Sequence, residues 1–483
     1  MKTIYKPLLT LTVLVLSTLS SRAQDCTCAE TFDQVVQVYE NDYALFNIKI
    51  TDANRKLYAS NKEVFKKKAG NVSEVEDCLP VLEQWLQFFR DGHTYIRFTG
   101  TNGNKETRDS IVIDKNAFLK ETNRIKRKKT YKENDLLGIW KYGAYEVGIM
   151  PKKDTRENKF IGVVLSSKNN VWKQGDVKFE LSQIYGNDYE VVYYMDDNSG
   201  RKLKEKLKNP ENLEFVDYNN WVKIWPSNPN TTTTAKETDL YSDFHIRMIN
   251  GKIPYIRFPN FYEKEPAFVD SLIKSHHQEL VNADFFIVDV RDNNGGNDVV
   301  YKPLFPYILS GPIETPNYGI WFSKGNIDFF LDGRKPEELD DESKEEYDYL
   351  SSLEGTLFWP NGDKYASISI PDTLFAPHQK VAVLINDKTI SSGETFVYRT
   401  RQSEKVILYG QNTAGIIDGF NVLTKTINCF ELHYPSSVRA KDVAENPIDP
   451  YGMAPDVYVD KKVDVLKFAI DHMTELLKKY SPK

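Results

Sequence analysis

The stretch that decides the fold reads Phe-Phe-Ile-Val-Asp-Val-Arg-Asp-Asn-Asn-Gly-Gly and covers residues 285–296. Its first half is nearly all apolar, which is typical of a strand buried on both faces of a parallel sheet. The pair Gly295-Gly296 predicts a loop whose backbone N–H groups approach a ligand closely, ahead of a helix expected from Val299. Because ligands of α/β sheets bind beyond the carboxyl ends of the strands, this loop is a candidate site. An ordinary tight turn has the same composition and is the alternative.

Strands and helices alternate on both sides of this stretch. A charged segment at 266–281 predicts a helix, and another helix is expected at 395–400. Three more apolar runs predict strands of the same sheet: 253–258, 381–385 and 406–408. We therefore predict an α/β domain over residues 240–483, with an acidic insertion at about 322–371 that carries its own helix.

A second motif, Ser-Ser-Gly-Glu at residues 391–394, follows the strand predicted at 381–385. A serine between a buried strand and a helix has the placement of a nucleophile whose oxyanion is stabilised by backbone donors. The same residues fit a capping box, in which Ser391 caps the helix and Glu394 reaches back to it. The two interpretations are compatible.

The N-terminal part, residues 24–100, shows apolar residues at helical spacing and predicts a small domain of about three helices. We expect the third helix to end at Asp91-Gly92, where glycine permits a left-handed C-cap. His93 follows this turn. An isolated histidine after a helix is usually a cap or a surface residue, but imidazole, with an ordinary pKa near ~6.5, is also suited to act as a base toward a serine.

The middle part of the chain, residues 130–226, contains short alternating β runs separated by turn residues. This pattern predicts a β-rich module, either an antiparallel sheet or a small barrel. Core packing is the role we expect for most of its tryptophans. Residues 227–239, with four consecutive threonines, predict a linker to the α/β domain. The chain as a whole is thus predicted to be of the α+β class.

Composition and the first residues limit the function. With 63 Lys+Arg against 69 Asp+Glu, the net charge of −6 argues against a nucleic-acid partner. Residues 1–23 combine two lysines, an apolar run and a small-residue ending, as in a cleavable signal peptide. The run is too short to span a membrane. We therefore expect an exported protein, periplasmic or extracellular, without a membrane span.

Four cysteines follow the predicted signal peptide: Cys26, Cys28, Cys78 and Cys429. In an oxidising compartment, a disulfide from Cys26 or Cys28 to Cys78 would fix the N-terminal segment. Zinc binding by Cys26 and Cys28 is the alternative, but no second ligand pair follows at the usual spacing. We expect no metal.

Several of these motifs resemble, in the same order, the signatures of the C-terminal-processing (tail-specific) serine peptidases, which include the tricorn protease core. The matching segments are Asp-Gly-His-Thr at 91–94, the strand and loop at 289–296, Ser-Ser-Gly-Glu at 391–394 and Gly-Met-Ala-Pro-Asp at 452–456. The resemblance implies a catalytic domain of the crotonase type (ClpP/crotonase) with Ser391 as the nucleophile. It also implies that no cofactor is needed.

The chain departs from this family at the base. Members of the Ser–Lys branch carry a lysine 25 residues after the serine, and this chain has Ile416 there. The resemblance then leaves His93 as the base, in the manner of the tricorn-like branch. Tricorn-like members orient the histidine with an acid before the terminal motif, which implies Asp449, or alternatively Glu445. The implied oxyanion donors are the N–H groups of Gly295 or Gly296 and of Ser392.

A second departure is the β-rich module, which lies where many members have a PDZ domain but lacks a Gly-Leu-Gly-Phe-like carboxylate loop. The sequence therefore does not decide whether free C-termini are recognised. The sequence predicts an exported serine peptidase acting on peptides or unfolded proteins. The alternative is an inactive relative that binds peptides or hydrophobic small molecules in the same cleft. Nothing in the sequence indicates the oligomeric state.

Overall fold

The computed structural model describes fifteen stretches of the chain. They are residues 26–99, 111, 113–127, 136–142, 145–152, 159–167, 172–185, 188–194, 200–206, 212–215, 219–226, 244–329, 331–332, 334–362 and 364–480. The predicted signal peptide and the predicted linker at 227–239 lie outside these residues. None of the described helices is long and apolar enough to cross a membrane.

Helices and strands are numbered along the chain. The helices are α1 (Cys28–Asp42), α2 (Phe46–Lys49), α3 (Arg55–Gly70), α4 (Leu79–Leu86), α5 (Lys115–Arg127), α6 (Pro266–Ser275), α7 (His277–Asn282), α8 (Phe305–Ile308), α9 (Lys324–Phe329), α10 (Asp341–Ser352), α11 (Ser392–Thr400) and α12 (Val465–Tyr480). The strands are β1 (Tyr95–Phe98), β2 (Gly138–Tyr142), β3 (Tyr145–Pro151), β4 (Lys159–Ser167), β5 (Val177–Tyr185), β6 (Asp188–Tyr194), β7 (Gly200–Lys206), β8 (Asn212–Phe215), β9 (Asn219–Trp225), β10 (His245–Ile249), β11 (Ile253–Arg257), β12 (Phe285–Asp289), β13 (Ile313–Pro316), β14 (Gly319–Phe322), β15 (Thr356–Phe358), β16 (Ala366–Ser369), β17 (Lys380–Ile385), β18 (Val406–Gly410), β19 (Gly419–Ile427), β20 (Phe430–Val438) and β21 (Val457–Tyr458).

The central sheet contains strand β12, which precedes the Gly295-Gly296 loop. Its strand order is β10-β11-β12-β17-β18-β21, and all neighbours except β10 and β11 are parallel. Apolar side chains cover both faces, with α12 packing on one of them. Strands β12 and β17 are adjacent, with Asp289 opposite Leu384, so the loops that follow them meet at one edge of the sheet. The overall α/β class is as predicted.

Three helix predictions near this sheet need correction. The helix expected at 266–281 is interrupted at His276, and α6 and α7 replace it. The helix expected from Val299 does not form, because turns and a short 3-10 helix at Lys302–Leu304 precede α8. The dipole of the helix expected from Val299 therefore does not act on the Gly295-Gly296 loop. Helix α11 begins at Ser392, earlier than expected.

The N-terminal helices pack around an aromatic cluster that includes Trp85 and Phe89. Their core is continuous with that of a five-stranded antiparallel sheet, in which β20 lies between β1 and β14 and also pairs with β19. Helix α4 runs into a 3-10 turn at Gln87–Phe89 that ends at Arg90, whose φ is +48°. The left-handed cap is thus Arg90, and the prediction of Gly92 in that role was wrong.

Two disulfides fix the N-terminal segment. Cys28 pairs with Cys78, which is one of the predicted alternatives. Cys26 pairs with Cys429, a partner 403 residues away that the sequence did not indicate. Because Cys429 lies in the turn between β19 and β20, this bond joins the start of α1 to the C-terminal antiparallel sheet.

The middle part of the chain forms an eight-stranded antiparallel sheet in the order β7-β6-β5-β4-β3-β2-β9-β8. Helix α5 covers one face through the buried Phe118. On the other face Trp140, Trp172 and Trp221 are buried, as expected of core residues. Strands β2 and β3 form a hairpin within this sheet.

Candidate active site

Ser391 lies at the tight junction between β17 and α11. Its backbone has φ +54° and ψ −122°, a conformation that residues other than glycine rarely adopt and that costs on the order of 1–3 kcal/mol. Two backbone hydrogen bonds hold it there. The Ser391 N–H donates to the Ile416 carbonyl at 3.1 Å, and the Thr395 N–H donates to the Ser391 carbonyl at 2.9 Å. The predicted capping box forms only in part: the Ser391 side chain makes no bond to the helix, whereas the Glu394 carboxylate interacts with the Ser391 backbone.

The Ser391 hydroxyl instead contacts His93. Its Oγ lies 2.9 Å from His93 Nε2, although the two residues are 298 positions apart. Asp91 shapes the turn that presents the ring, since its Oδ1 accepts the His93 N–H at 2.9 Å. Its Oδ2 accepts the Tyr43 hydroxyl at 2.6 Å, which ties the turn to the end of α1. The structure thus brings the predicted nucleophile and base within hydrogen-bonding distance.

The protonation of His93 depends mainly on its surroundings. Burial lowers the pKa of His93 below its ordinary value of 6.5, and the Asp91 charge only partly opposes this. The ring is therefore mostly neutral at pH 7, which is the form that accepts a proton. Its other nitrogen, Nδ1, is buried and makes no hydrogen bond of normal geometry among the described residues, although the Gly419 backbone interacts with the ring and favours its protonated form.

Asp449 lies near the His93 turn but does not bond to the ring. Its Oδ1 accepts the N–H groups of Ile417 and Asp418 at 2.8 and 3.1 Å. Its Oδ2 is buried without a partner in the part of the chain that the structure describes. Burial, together with the charges of Asp91 and Asp418, raises the pKa of Asp449 to about 8. Its assignment as the orienting acid stays a prediction.

Glu445, the other candidate acid, is not brought to the site. It lies exposed on the turn after β20, where its N–H donates to the Asp442 carbonyl.

The structure removes one residue, Gly295, from the predicted oxyanion donors. A Cβ on Gly295, whose φ is +78°, would lie 2.7 Å from Ser391 Cβ, so only glycine fits beside the nucleophile. However, the Gly295 N–H already donates to Asn293 Oδ1 at 2.9 Å, and this removes it as an oxyanion donor. The N–H groups of Gly296 and Ser392 donate to no other group of the described residues. A 2.6 Å bond from Ser392 Oγ to the Gly296 carbonyl holds these two residues together.

Asn293 and Glu394 contribute to the site without having been predicted to do so. Asn293 is fully buried, and its carbonyl accepts the Ile390 N–H at 3.0 Å, which joins the two loops. Its side chain also donates to the Phe258 carbonyl at 2.9 Å. One feature of the sequence could have indicated Asn293 as a site residue, namely the polar run directly after a buried strand. Glu394 had been interpreted only as a capping residue.

The β-rich module reaches the same loop. The hydroxyl of Tyr142, at the end of β2, lies within hydrogen-bonding reach of the Asn294 side chain. Burial, with the nearby Tyr262 hydroxyl, raises the pKa of Tyr142 to about 12. This contact places one hairpin of the module beside residues 292–296.

No cluster of three or more His, Cys, Asp or Glu side chains that could hold a metal ion occurs within the described stretches.

Comparison with known proteins gives one family and several relatives. The model of Peptidase family S41 matches residues 252–459. Carboxyl-terminal-processing peptidase 2, chloroplastic, from Arabidopsis thaliana is 26% identical over 210 residues. That match covers 42% of this chain, and the chain spans only 31% of the length of that relative.

Two solved structures are also similar to the chain. Mature CPAF complexed with lactacystin is 13% identical with a TM-score of 0.45, covering 94% of this chain and 98% of that chain. The tricorn protease is 14% identical with a TM-score of 0.39, covering 94% of this chain and 37% of that chain.

The matched segment contains Ser391, the glycine pair and Asp449, whereas His93 lies outside it. The order of the motifs and the matches agree: the family match over residues 252–459 and the similarity to a carboxyl-terminal-processing peptidase support a C-terminal-processing peptidase of family S41.

Proposed function

We propose that this protein is an exported serine peptidase that hydrolyses peptide bonds in peptides or unfolded proteins. The observation that carries the proposal is the 2.9 Å contact between His93 Nε2 and Ser391 Oγ, next to two unoccupied backbone donors. A serine hydroxyl does not attack an amide at neutral pH without a base, and a neutral imidazole at this distance meets that requirement.

In the proposed reaction, Ser391 Oγ attacks the carbonyl carbon of the scissile bond while His93 Nε2 takes the hydroxyl proton. The N–H groups of Gly296 and Ser392 stabilise the negative oxygen of the tetrahedral intermediate. His93 then donates the proton to the leaving amine, which gives an acyl ester on Ser391. Water, deprotonated by the same ring, hydrolyses the ester and restores the hydroxyl.

Asp449 is the proposed orienting acid. Two buried polar atoms of the site make no hydrogen bond of normal geometry among the described residues, Asp449 Oδ2 and His93 Nδ1, although the Gly419 backbone interacts with the His93 ring. Buried polar atoms are normally bonded, so a small closure on substrate binding, or a bridging water, is expected to connect them. An ionised Asp449 would fix the tautomer that leaves Nε2 free to accept a proton.

Export is supported by the cysteines. Both disulfides of the described residues are of the kind that persists in oxidising compartments and is rare in the cytosol. They agree with the signal peptide expected at residues 1–23.

A fluorophosphonate probe tests the catalytic proposal directly. We expect it to label the purified wild type at Ser391, and Ser391→Ala to lose both labelling and peptide hydrolysis. His93→Gln should fold normally but label at least ~10³-fold more slowly, because the triad members act together. A folded wild type that neither labels nor hydrolyses any peptide, yet binds peptides or hydrophobic small molecules, would support the binding-protein alternative.

A further inference from the structure

Glu394 is a buried carboxylate that the proposed reaction does not use. It lies on the first turn of α11, three residues after Ser391, and its exposed fraction is 0%. Besides an interaction with the Ser391 backbone, its carboxylate accepts three hydrogen bonds from one short loop, residues 413–416. Oε1 accepts the Thr413 hydroxyl at 2.6 Å and the Gly415 N–H at 2.9 Å, while Oε2 accepts the Ile416 N–H at 2.7 Å. The carboxylate thus fixes this loop to the helix that follows the nucleophile.

The same loop contacts both members of the candidate catalytic pair. The Ile416 carbonyl accepts the Ser391 N–H at 3.1 Å and is therefore one of the two bonds that hold the unusual backbone of the nucleophile. The Ile416 side chain packs against Gly92, since a Cβ at that glycine would lie 2.5 Å from Ile416 Cδ1 and Cγ1. Gly92 directly precedes His93. Ile416 is thus in contact with the backbone of the nucleophile on one side and with the turn of the base on the other.

The loop has little freedom to move away from these contacts. A Cβ on Gly415, whose φ is +74°, would lie 2.6 Å from the Pro450 carbonyl carbon. A Cβ on Gly452 would lie 1.9 Å from the Thr413 carbonyl oxygen, so the 450–452 segment packs tightly against the loop. Because the loop is tightly packed against this segment, a displacement of its amide groups also displaces its contacts with Ser391 and Gly92.

We propose that Glu394 is a positioning residue, which sets the Ser391–His93 distance by holding Ile416 between the two. This inference rests on the proposed peptidase function. The donors around Glu394, three from the loop and the Ser391 backbone, suit an ionised carboxylate, and Oε2 already receives the Ile416 N–H. Burial raises the pKa of Glu394, and the Thr413 hydroxyl and the loop amides oppose that rise.

Glu394→Gln is the sharpest test, because it changes one atom of the carboxylate. The glutamine oxygen still accepts from Thr413 and Gly415, but its NH₂ group faces the Ile416 N–H, and two donors repel each other. We expect kcat and the fluorophosphonate labelling rate at Ser391 to fall ~10²-fold, as for a misplacement of about 1 Å, with KM within twofold of wild type. The exposed Glu404→Gln is the matched control and should change neither value.

A purely structural role predicts a different result. Glu394→Gln would then lower the thermal midpoint, while the folded protein, assayed well below that midpoint, would label at the wild-type rate. That outcome overturns the inference. A crystal structure of the variant provides a readout independent of activity, since we expect the Nε2–Oγ distance to exceed ~3.5 Å and lose the hydrogen bond. An unchanged distance also overturns the inference.

Ile416→Ala provides a second route if Glu394→Gln does not fold. It keeps both backbone bonds of the loop and removes only the contact with Gly92, so labelling should slow by ~10-fold in a protein of near-normal stability. In the double variant the two losses should not multiply, because both act through the same contact. Full multiplication, or an Ile416→Ala variant as fast as wild type, would contradict the proposal. If the wild type itself neither labels nor hydrolyses peptides, the proposed function fails and this inference fails with it.

Discussion

Replacing Asp449 with asparagine tests the buried charges beside His93. The carboxyl of Asp449 is buried, and this burial, with Asp91 and Asp418 nearby, raises its pKa to about 8. Asparagine has the same shape, and its oxygen can accept the same two backbone N–H groups that Oδ1 accepts now. The atom that changes, Oδ2, has no partner to lose among the described residues. The substitution therefore removes the charge and little else.

The direction and size of the effect follow from the pKa. Because the folded-state pKa of Asp449 is raised, its contribution to stability is fully present below the unfolded-state pKa and is lost as pH rises to about 8. The interval from the ordinary 3.8 to about 8 corresponds to about 6 kcal/mol at 1.36 kcal/mol per pKa unit. This is an upper bound, since water entry and relaxation reduce the cost of a buried charge. Asparagine cannot ionise and escapes the loss.

Urea unfolding of wild type and Asp449→Asn from pH 4 to pH 9 measures this difference. We expect the variant to gain stability relative to wild type as pH rises, by several kcal/mol between pH 4 and pH 8, with no further gain above pH 8. Asp372→Asn, at an exposed carboxylate, is the control and should show no such trend. A difference between Asp449→Asn and wild type that stays constant across this range would refute the reasoning.

The same variant decides whether Asp449 orients His93. If an ionised Asp449 is required, wild-type kcat/KM should rise to a plateau only above about pH 8, and Asp449→Asn should lose most activity at every pH. If only a neutral His93 is required, the rise should lie below 6.5, because burial lowers the pKa of that ring. A rise below 6.5 with an active variant would exclude Asp449 as the orienting acid.

Three further substitutions test other parts of the structure. Gly92→Ala places a methyl group 2.5 Å from two atoms of Ile416, and we expect a cost of ~1–3 kcal/mol in urea unfolding and a labelling rate at least ~10-fold lower. Wild-type labelling would show that the turn adapts. Removing the Cys26–Cys429 disulfide by a double serine substitution should cost about 2 kcal/mol more than removing the disulfide that spans 50 residues, because it closes a 403-residue loop. Equal losses in urea unfolding would contradict this chain-entropy argument. Lys388→Ala should keep hydrolysis within twofold of wild type, since the proposed base is a histidine, and a loss of several orders of magnitude would indicate a lysine base.

The sequence predicted those parts of the fold that depend on local pattern. Strands β11, β12 and β17 were predicted to within a residue or two, because a run of apolar residues bounded by turn residues needs no distant partner to be recognised. Strand β7, Gly-Arg-Lys-Leu-Lys-Glu-Lys, was missed. It has one strongly apolar residue and becomes a strand through its pairing with β6. The prediction of a helix from Val299 was wrong, and turns lead there into the 3-10 helix at Lys302–Leu304.

The residues of the candidate site also divide into those that a local sequence pattern predicts and those whose role depends on distant residues. Ser391 and the glycine pair were found because each directly follows a buried strand, and His93 because of its place in a four-residue signature. For Glu394 the sequence indicated only the interaction with the Ser391 backbone, because its bonds to the loop at 413–416 depend on residues about 20 positions later in the chain. The raised pKa of Asp449 depends on Asp91, which lies 358 positions earlier in the chain. No pattern within one segment reveals such a pair.

The distance in sequence between Ser391 and His93 raises the question of whether the two separate by domain movement. The structure argues against a free hinge. Strand β1, which begins two residues after His93, is paired with β20 along its whole length. The Tyr95 ring stacks on the His433 ring, with 4.1 Å between the ring centroids. The Cys26–Cys429 disulfide adds a covalent tie, and the helices share one continuous core with β20. Moving His93 away from Ser391 would expose this core to water, at a free-energy cost of ~25 cal/mol for each Å² of apolar surface. Because Ser391 and His93 are held together, we expect activity to be controlled by the access of substrate to them and not by their assembly.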